Sequence, residues 1–281
     1  KTMRILVINP GSTSTKVPVC EDERPVLLRN IRHTAEELRA YPTSFDQLPL
    51  RQNKILQTLE EEEIPFAFDA IVGRGGLTHP IPAGVYRVNA QMLHDTRTAI
   101  RQHVCNLGCH IAAALASKID HCEALIADPV IVDEMCPEAR ICGSPDMRRN
   151  SVWHALNQRA TARRHALSIG CHYEDLDLIV AHLGGGITIG VHHHGRTIDV
   201  NNGLDGEGPF SPERAGTLPT ADLIRMCFSE EYTEEELLRF VGGKAGLVAW
   251  LGTSDTREIL DRIESGDEEA KLIMDAMIYH I

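Results

Sequence analysis

The chain has 281 residues with 43% hydrophobic side chains, which suits two globular domains with substantial cores. Its 28 basic and 40 acidic residues give a formal net charge of −12, which excludes a general nucleic-acid binder because such a protein needs a basic face. No run approaches the roughly 20 apolar residues of a membrane-spanning helix, so neither nucleic acid nor membrane is expected as a partner.

The first predicted element is an apolar strand over residues 5–8, and the loop after it carries the strongest signal in the chain. The candidate ligand-binding residues of this loop are Asn9, Gly11, Ser12, Ser14 and Lys16. Turn residues free backbone N–H groups, and hydroxyls add further donors, which suits a phosphate. A Walker A pattern is absent. Because residues 16–20 have the pattern of a second strand, the loop is predicted to be the tip of a β-hairpin.

Helices and strands alternate over the rest of the first half, which indicates the α/β class. The predicted elements are a capping-box helix after Thr34, a helix over residues 45–63, a strand over residues 69–72, a long helical region over residues 89–118 interrupted near Asn106, and a strand over residues 124–127.

Two charged residues directly follow predicted strands of this half. Arg74 lies in a Gly-Arg-Gly-Gly sequence, where a side chain at the end of a strand points into a ligand crevice. Its guanidinium is suited to bind a carboxylate or phosphate through two N–H donors. The alternative is a surface arginine beside a turn. Asp128 precedes a proline and suits Mg²⁺ held with phosphate oxygens, the alternative being a turn aspartate.

The second half repeats the strand–loop–strand design around Gly184, Gly185 and Gly186. His182 lies between the first strand and these glycines, which let a ligand approach the backbone closely. The repetition predicts two phosphate-facing hairpins across a cleft. Before this hairpin, a helix is predicted to begin with Ser151 as its N-cap and to run to Gly170, with His154 in its first turn. There an imidazole can donate a hydrogen bond to an anion; the alternative is a histidine on the helix surface.

Loops and helices follow the second hairpin. Arg214 lies in the loop over residues 201–219 and suits a transferring phosphoryl group, with an ion pair to Glu213 as the alternative. The three histidines before Gly195 are predicted to form a solvated turn. Another capping box is predicted at Thr233, and a last helix near Ser265.

The end of the chain and its cysteines give two further expectations. The last predicted helix carries an apolar stripe of Ile273, Met277 and Ile281 up to the final residue, which favours a truncated chain because such a stripe needs cover. Eight cysteines without a C-x-x-C motif or a secretion signal favour reduced thiols and a cytoplasmic location.

Six motifs, in order along the chain, together resemble the acetate kinase family, and two of them resemble its butyrate branch. They are Ile8-Asn9-Pro10-Gly11-Ser12-Thr13-Ser14-Thr15-Lys16, Val72-Gly73-Arg74-Gly75-Gly76, Asp128-Pro129-Val130-Ile131-Val132-Asp133-Glu134, His154-Ala155-Leu156-Asn157-Gln158, His182-Leu183-Gly184-Gly185-Gly186 and Leu204-Asp205-Gly206-Glu207-Gly208-Pro209-Phe210-Ser211-Pro212-Glu213-Arg214.

The resemblance implies an α/β fold of two duplicated actin-like (ribonuclease H-like) domains around a nucleotide cleft, with the second domain incomplete at its C-terminus. Residues 1–132 are expected to form the N-terminal domain with the first phosphate hairpin. Residues 133–281 are expected to form the truncated C-terminal domain with the second.

The resemblance also implies a reaction, the reversible transfer of a phosphoryl group between ATP and a short-chain fatty acid, with ATP/ADP and Mg²⁺ as cofactors and a homodimer or higher homo-oligomer as the assembly. By this likeness the catalytic residues are Asn9, Arg74, His154, His182 and Arg214; the nucleotide-binding residues are Gly11, Ser12, Ser14, Lys16, Gly184, Gly185 and Gly186; and Asp128 holds the metal.

Butyrate is the expected acid, and acetate, propionate or a branched acid is the alternative, because one methylene changes binding by only about 1–3 kcal/mol. A truncated, non-catalytic paralogue is a second alternative. A third is an ATP-driven binding module of the heat-shock type, which Arg74 and Arg214 disfavour because ATP hydrolysis alone needs no carboxylate clamp.

Overall fold

The computed structural model describes residues 2–99 and 102–281. Contacts divide the chain into two compact units, Lys1–Val132 (unit 1) and Asp133–Ile281 (unit 2). Among the described residues, no helix combines the length and the apolar character needed to cross a membrane.

Unit 1 is built on a six-stranded sheet with the order β3-β2-β1-β4-β6-β5. The strands are β1 (Arg4–Pro10), β2 (Ser14–Glu21), β3 (Arg24–Arg32), β4 (Ala70–Arg74), β5 (Val85–Arg87) and β6 (Glu123–Ala127). The first three strands form an antiparallel meander, whereas β1, β4 and β6 run parallel. The carboxyl ends of these three parallel strands therefore meet at one edge of the sheet.

Four α-helices accompany this sheet in the described part of unit 1. They are α1 (Ala35–Arg39), α2 (Leu48–Glu61), α3 (Ala90–Thr98) and α4 (Leu107–Ala116). Thr34 forms the predicted capping box of α1, and Pro49 lies in the first turn of α2, where its missing N–H costs no hydrogen bond. The core joins inward residues of β1 and β2 to one face of α2 and to α4.

Helix α4 lies unusually close to β4, because two glycines face each other. A Cβ at Gly73 would overlap the carbonyl oxygen of Gly108, and a Cβ at Gly108 would overlap that of Arg74. The predicted interruption near Asn106 is misplaced. The break comes earlier, between Thr98 and Val104, and residues 100 and 101 lie outside the described residues. Asn106 instead lies immediately before α4 and accepts the N–H of Leu77 through its side chain.

Unit 2 repeats the antiparallel meander with β7 (Asp177–Leu183), β8 (Ile187–His193) and β9 (Arg196–Val200), in the order β7-β8-β9. The duplicated strand–loop–strand design predicted from the sequence is confirmed. Helix α5 (Ala155–Ser168) packs against β7. It is followed by Gly170 with a φ of 71°, a left-handed conformation that favours glycine.

Most of unit 2 after residue 219 is helical. The helices are α6 (Thr220–Cys227), α7 (Glu234–Arg239), α8 (Leu247–Leu251), α9 (Thr256–Glu264) and α10 (Glu268–His280). The predicted capping box at Thr233 is confirmed. The start predicted for the last helix is wrong: α10 is capped by Asp267, and Ser265 ends α9.

The apolar stripe of α10 is largely covered within unit 2. Ile273, Met274 and Met277 are buried against Ile187 of β8 and Ile259 of α9, whereas Ile281 is 41% exposed. The expectation of an uncovered stripe is therefore wrong for most of its length, because α9 and β8 supply the missing contacts.

Two predictions about histidines and caps are also wrong. Helix α5 begins one turn later than predicted, so His154 and not Ser151 occupies its N-cap position. The three-histidine turn is solvated only at His193 and His194, because His192 is fully buried. Strand alternation explains this difference: His192 shares the buried face of β8 with Thr188 and Gly190.

Candidate functional site

The first predicted phosphate loop joins β1 to β2 and is closed by a hydrogen bond from the Gly11 N–H to the Ser14 carbonyl, 2.7 Å long. Asn9 pairs with Lys16 across the hairpin, so both side chains stand at its tip. Ser12 and Lys16 are exposed. The side chains of Ser12 and Lys16 therefore present donors on the outer side of the loop.

Arg51 lies beneath this loop and is the main feature that sequence reasoning missed. Its side chain is fully buried, and its guanidinium donates to the carbonyls of Ser12 and Ser14 and, at 2.9 Å, to the hydroxyl of Thr15. The guanidinium also donates to the Oε1 of Gln47, an uncharged side chain. Burial lowers the pKa of Arg51 to about 10, so it is a cation at neutral pH.

A sequence signal for Arg51 exists. It lies four residues before Ile55 and eight before Leu59, and these three are the buried residues of α2. An arginine inside an apolar helical stripe needs a dedicated polar partner. Here that partner is the set of loop carbonyls.

Three predicted residues come together at the carboxyl edge of the parallel strands in unit 1. Asn9 follows the residue of β1 that pairs with Gly73. Arg74 ends β4 and pairs with Ala127, the residue before Asp128. The guanidinium of Arg74 donates to the Oδ1 of Asn9 at 3.4 Å. An amide, a guanidinium and a carboxylate thus share one sheet edge.

Asp128 is held rigidly at this edge. Its side chain is 6% exposed, its φ is 36°, and it exchanges two hydrogen bonds with Gly84, one of 2.8 Å to the carboxylate and one of 2.9 Å between backbones. Mg²⁺ in nucleotide sites binds one or two carboxylates and completes its shell with phosphate oxygens and water. A fixed carboxylate beside Arg74 fits that donor set.

In unit 2, the two predicted histidines stack face to face. The rings of His154 and His182 are 3.7 Å apart between centroids, with an angle of 8° between their planes. His154 lies at the N-cap of α5 with its Nδ1 2.9 Å from the Thr188 hydroxyl. His182 is near the end of β7 with its Nδ1 3.0 Å from the Oδ1 of Asn157. Each ring is thereby fixed through its Nδ1.

The three glycines of the second loop make room for side chains rather than for an unusual backbone. None of them has a positive φ. A Cβ at Gly184 would lie 2.7 Å from the Nε2 of His182, and a Cβ at Gly186 would lie 2.5 Å from the Cζ of Arg214. Gly185 faces the carboxylate of Glu213. A side chain at Gly184 or Gly186 would therefore displace the end of His182 or Arg214.

Hydrogen bonds of Arg214 and of its neighbours in sequence hold it against the glycine loop. Its guanidinium donates to the carbonyl of Gly203 at 2.7 Å, and the Ser211 hydroxyl both accepts the N–H of Arg214 and donates to the carbonyl of Gly185. The N–H of Glu213 also donates to the Gly185 carbonyl. These bonds join the segment of Arg214 to the glycine loop.

Glu207 has a structural role that the sequence did not reveal. Its carboxylate accepts the N–H of Asn202 at 2.9 Å and pairs with Arg149, which also binds Asp199 and the carbonyl of Val200. The loop that leads to Arg214 is thus anchored to β9. Only the fold brings Arg149 to this loop, because it lies 58 residues away in sequence.

The predicted site residues therefore form two groups, one in each unit. The unit 1 group comprises Asn9, Gly11, Ser12, Ser14, Lys16, Arg74 and Asp128. The unit 2 group comprises His154, His182, Gly184, Gly185, Gly186 and Arg214. Each group combines hydrogen-bond donors with an arginine beside a hairpin loop.

Comparison with known proteins gives consistent results. Residues 147–281 match the model of the Acetokinase family. The chain is 59% identical over 279 residues to a probable butyrate kinase of Bacteroides thetaiotaomicron, covering 99% of this chain and 79% of that protein. It is 48% identical over 280 residues to butyrate kinase 1 of Clostridium acetobutylicum, again covering 99% and 79%.

The fold of this chain is similar to that of several solved structures. A crystal structure of Porphyromonas gingivalis acetate kinase matches with a TM-score of 0.77 at 19% identity, covering 99% of this chain and 77% of that one. A propionate kinase from Francisella tularensis matches with a TM-score of 0.74 at 17% identity, covering 99% and 78%. The α/β fold predicted from the sequence motifs is confirmed.

Proposed function

The chain belongs to the acetokinase family, and from this premise we propose that it catalyses the reversible transfer of a phosphoryl group from ATP to butyrate, giving butanoyl phosphate and ADP. The relatives named butyrate kinase, at 59% and 48% identity, support butyrate as the acid. The likeness to the acetate kinase family drawn from the motifs is confirmed.

One observation from the geometry carries this proposal. In unit 2, His182 and Arg214 lie directly against the loop of Gly184 and Gly186, and His154 stacks on His182. A transferring phosphoryl group spreads its charge over three equatorial oxygens, and its transfer depends on positioning and charge neutralisation. Two imidazoles and a guanidinium beside an open backbone supply those donors.

The reaction needs no strong base among the residues of this chain. A fatty carboxylate is already ionised at pH 7. One of its oxygens forms a bond to the γ-phosphorus, while the bond from that phosphorus to the bridging oxygen breaks and ADP leaves with the electron pair. The role of the side chains is to hold both partners in line and to offset negative charge.

Roles for the unit 1 residues follow from their chemistry. We assign the carboxylate of the acid to the guanidinium fork of Arg74 and the phosphoryl group to the amide of Asn9. The remaining loop residues, Gly11, Ser12, Ser14 and Lys16, bind nucleotide phosphates. The cation of Arg51 beneath the loop supports an anionic ligand on the outer side.

We propose three further properties of the protein. Asp128 would hold Mg²⁺, which when bound neutralises charge on the nucleotide phosphates. Free cysteines, eight among the described residues, support a reducing cytoplasmic location. A homodimer or higher homo-oligomer is proposed from the family resemblance, and sedimentation would measure it.

An acyl phosphate assay tests the function. The protein is incubated with ATP, Mg²⁺ and hydroxylamine together with acetate, propionate, butyrate or isobutyrate, and the acyl hydroxamate is measured. We expect the highest kcat/KM with butyrate. A preference for another acid would assign the protein to that acid. No turnover with any acid, in a sample whose circular dichroism shows a folded protein, would favour a non-catalytic paralogue.

A further inference from the structure

A buried chain of polar side chains lies beneath the second hairpin and leads to His154. It comprises Tyr173, His192, Gln158 and Thr188, of which the last three are fully buried. The Tyr173 hydroxyl is 2.6 Å from the Nδ1 of His192, and the Nε2 of His192 is 2.9 Å from the Oε1 of Gln158. The chain continues from Gln158 to Thr188 and from Thr188 to His154.

The direction of every hydrogen bond in this chain is set by one backbone carbonyl. The terminal nitrogen of Gln158 lies 2.9 Å from the carbonyl oxygen of Thr188, which only accepts. This contact fixes the orientation of the amide. The second N–H of the same nitrogen then points to the Thr188 hydroxyl, also at 2.9 Å, so this hydroxyl oxygen accepts from Gln158.

The oxygen of the Gln158 amide sets the direction of the remaining hydrogen bonds. The Oε1 of Gln158 only accepts, so the Nε2 of His192 must carry the proton. Burial lowers the pKa of His192 to about 4, which keeps the ring neutral with one N–H at pH 7. Its Nδ1 then accepts from Tyr173, whose hydroxyl remains protonated because burial raises its pKa.

The remaining proton is that of the Thr188 hydroxyl. Its oxygen already accepts from Gln158 and, at 3.4 Å, from the backbone N–H of His154. The third neighbour of this oxygen is the Nδ1 of His154 at 2.9 Å. The hydroxyl therefore donates to Nδ1, which must offer a lone pair, and the proton of the neutral ring is on Nε2.

We propose that Gln158 and Thr188 are positioning residues that hold His154 in the tautomer with its proton on Nε2, so that this nitrogen donates a hydrogen bond to the transferring phosphoryl group. The proposal rests on the proposed function for the identity of the acceptor. It assigns His154 the role of a neutral donor rather than a charged one.

The same network disfavours the doubly protonated ring. An imidazolium would direct an Nδ1–H at the Thr188 oxygen, which already accepts from Gln158. The hydroxyl proton of Thr188 would then lose its acceptor in a fully buried place. An unmade hydrogen bond of a buried donor is unfavourable, so the network favours the neutral ring of His154.

Side-chain NMR tests the tautomer of His154 directly and needs no activity measurement. The full chain, labelled with ¹⁵N-histidine, is measured by long-range ¹H–¹⁵N correlation, and a His154→Gln sample assigns the signal. We expect an unprotonated Nδ1 and a protonated Nε2 on His154 at pH 7. A proton on the Nδ1 of His154 would overturn the proposal.

Three threonine variants separate positioning from stability. Thr188→Val keeps the shape and removes the hydroxyl, so we expect a tautomer-averaged signal and a kcat lower by on the order of 10- to 100-fold, with KM changed less than about twofold. Thr188→Ser restores the hydroxyl and should recover the signal and most of kcat. Thr197→Val is the matched control, since Thr197 is also buried and lies 3.4 Å from His192.

The control should lose stability in thermal unfolding and keep both kcat and the His154 signal. Equal losses of kcat in Thr188→Val and Thr197→Val, or no recovery in Thr188→Ser, would contradict the positioning role. If the wild type shows the expected tautomer but turns over none of the acids, the proposed function fails while the tautomer assignment stands.

Discussion

Each of the two hairpins has a buried threonine at the equivalent position, and the two threonines have different partners. Thr15 follows Gly11 by four positions and Thr188 follows Gly184 by four, and both are fully buried. Thr15 accepts from Arg51 and lies 2.8 Å from the Nε2 of His33. Thr188 takes Gln158 and His154 as the corresponding partners.

The difference lies in the charge and in the histidine. In unit 1 the donor under the loop is a cation and the histidine is buried at 4% exposure, so the arrangement supports the loop itself. In unit 2 the donor is a neutral amide and the histidine stacks on His182. A repeated element thus serves stability in one unit and the orientation of a proposed catalytic group in the other.

Removing the arginine of either group should have the largest effect. We expect Arg74→Ala and Arg214→Ala each to lower kcat by about 10²- to 10³-fold, because Arg74 positions the attacking carboxylate and Arg214 offsets charge on the transferring phosphoryl group. The hydroxamate assay measures this effect, and circular dichroism checks the fold. Arg225→Ala is the matched control, since this exposed arginine forms an ion pair with Asp222 on the surface. Near-wild-type rates would remove Arg74 or Arg214 from the site.

Alanine in the two glycine loops should separate their roles. Gly186→Ala would push the guanidinium of Arg214 from its place, and we expect kcat to fall by on the order of 10²-fold. The melting temperature should change little, because the end of a long side chain can move. In Gly11→Ala the nearest atom to the new Cβ is 3.4 Å away, so the free energy of unfolding should not change. An unaltered kcat for Gly186→Ala would contradict the role of this glycine.

Removing the cation under the first loop should reduce stability. Arg51→Met leaves the Ser12 and Ser14 carbonyls and the Thr15 hydroxyl without their donor, which we expect to cost about 2–4 kcal/mol of unfolding free energy. Urea unfolding measures this quantity. Arg29→Met is the control, because Arg29 forms an exposed pair with Glu62, and exposed pairs add little. Equal midpoints for the two variants would show that Arg51 does not support the loop.

Acid should destabilise both units through their buried histidines. The pKa of His33 and that of His192 are lowered to about 4, chiefly by burial, whereas the unfolded value is about 6.5. Between these values the unfolded chain binds protons that the folded chain does not. Stability should therefore fall as pH falls from 6.5 to 4, by at most about 1.4 kcal/mol per pH unit for each histidine.

A single substitution checks this pH dependence. His33→Gln should reduce the slope of unfolding free energy against pH in that window, because only His192 and His110, whose pKa values burial also lowers, then remain among the buried histidines with a lowered pKa. An unchanged slope would show that other groups cause the acid sensitivity. The effect is the smallest of those expected here at pH 7, where both rings are neutral in the folded chain and mostly neutral in the unfolded one.

Local signals in the sequence predicted much of the fold. The capping boxes at Thr34 and Thr233 depend only on neighbouring residues, and both are confirmed. The cap of α5 was misassigned because Ser151 and His154 lie within one turn, and a serine is the more common cap.

The tertiary partners of the site could not be predicted in this way. Arg149 reaches Glu207, and Gln158 reaches Thr188, only after strands from distant segments pair. Two signals were nevertheless present. The helical spacing of Arg51 with Ile55 marks it as buried, and the alternation of β8 places His192 on the face of Thr188.

The contact between Gly73 and Gly108 has a consequence for motion. Since α4 rests directly on the backbone of β4, the segment that ends in Arg74 has no room to open while the helix stays in place. Amides of β4 and α4 should then exchange with deuterium at one common rate, as a single cooperative unit. A backbone this rigid would present the guanidinium of Arg74 to the proposed carboxylate already in position, so that less conformational entropy is lost on binding.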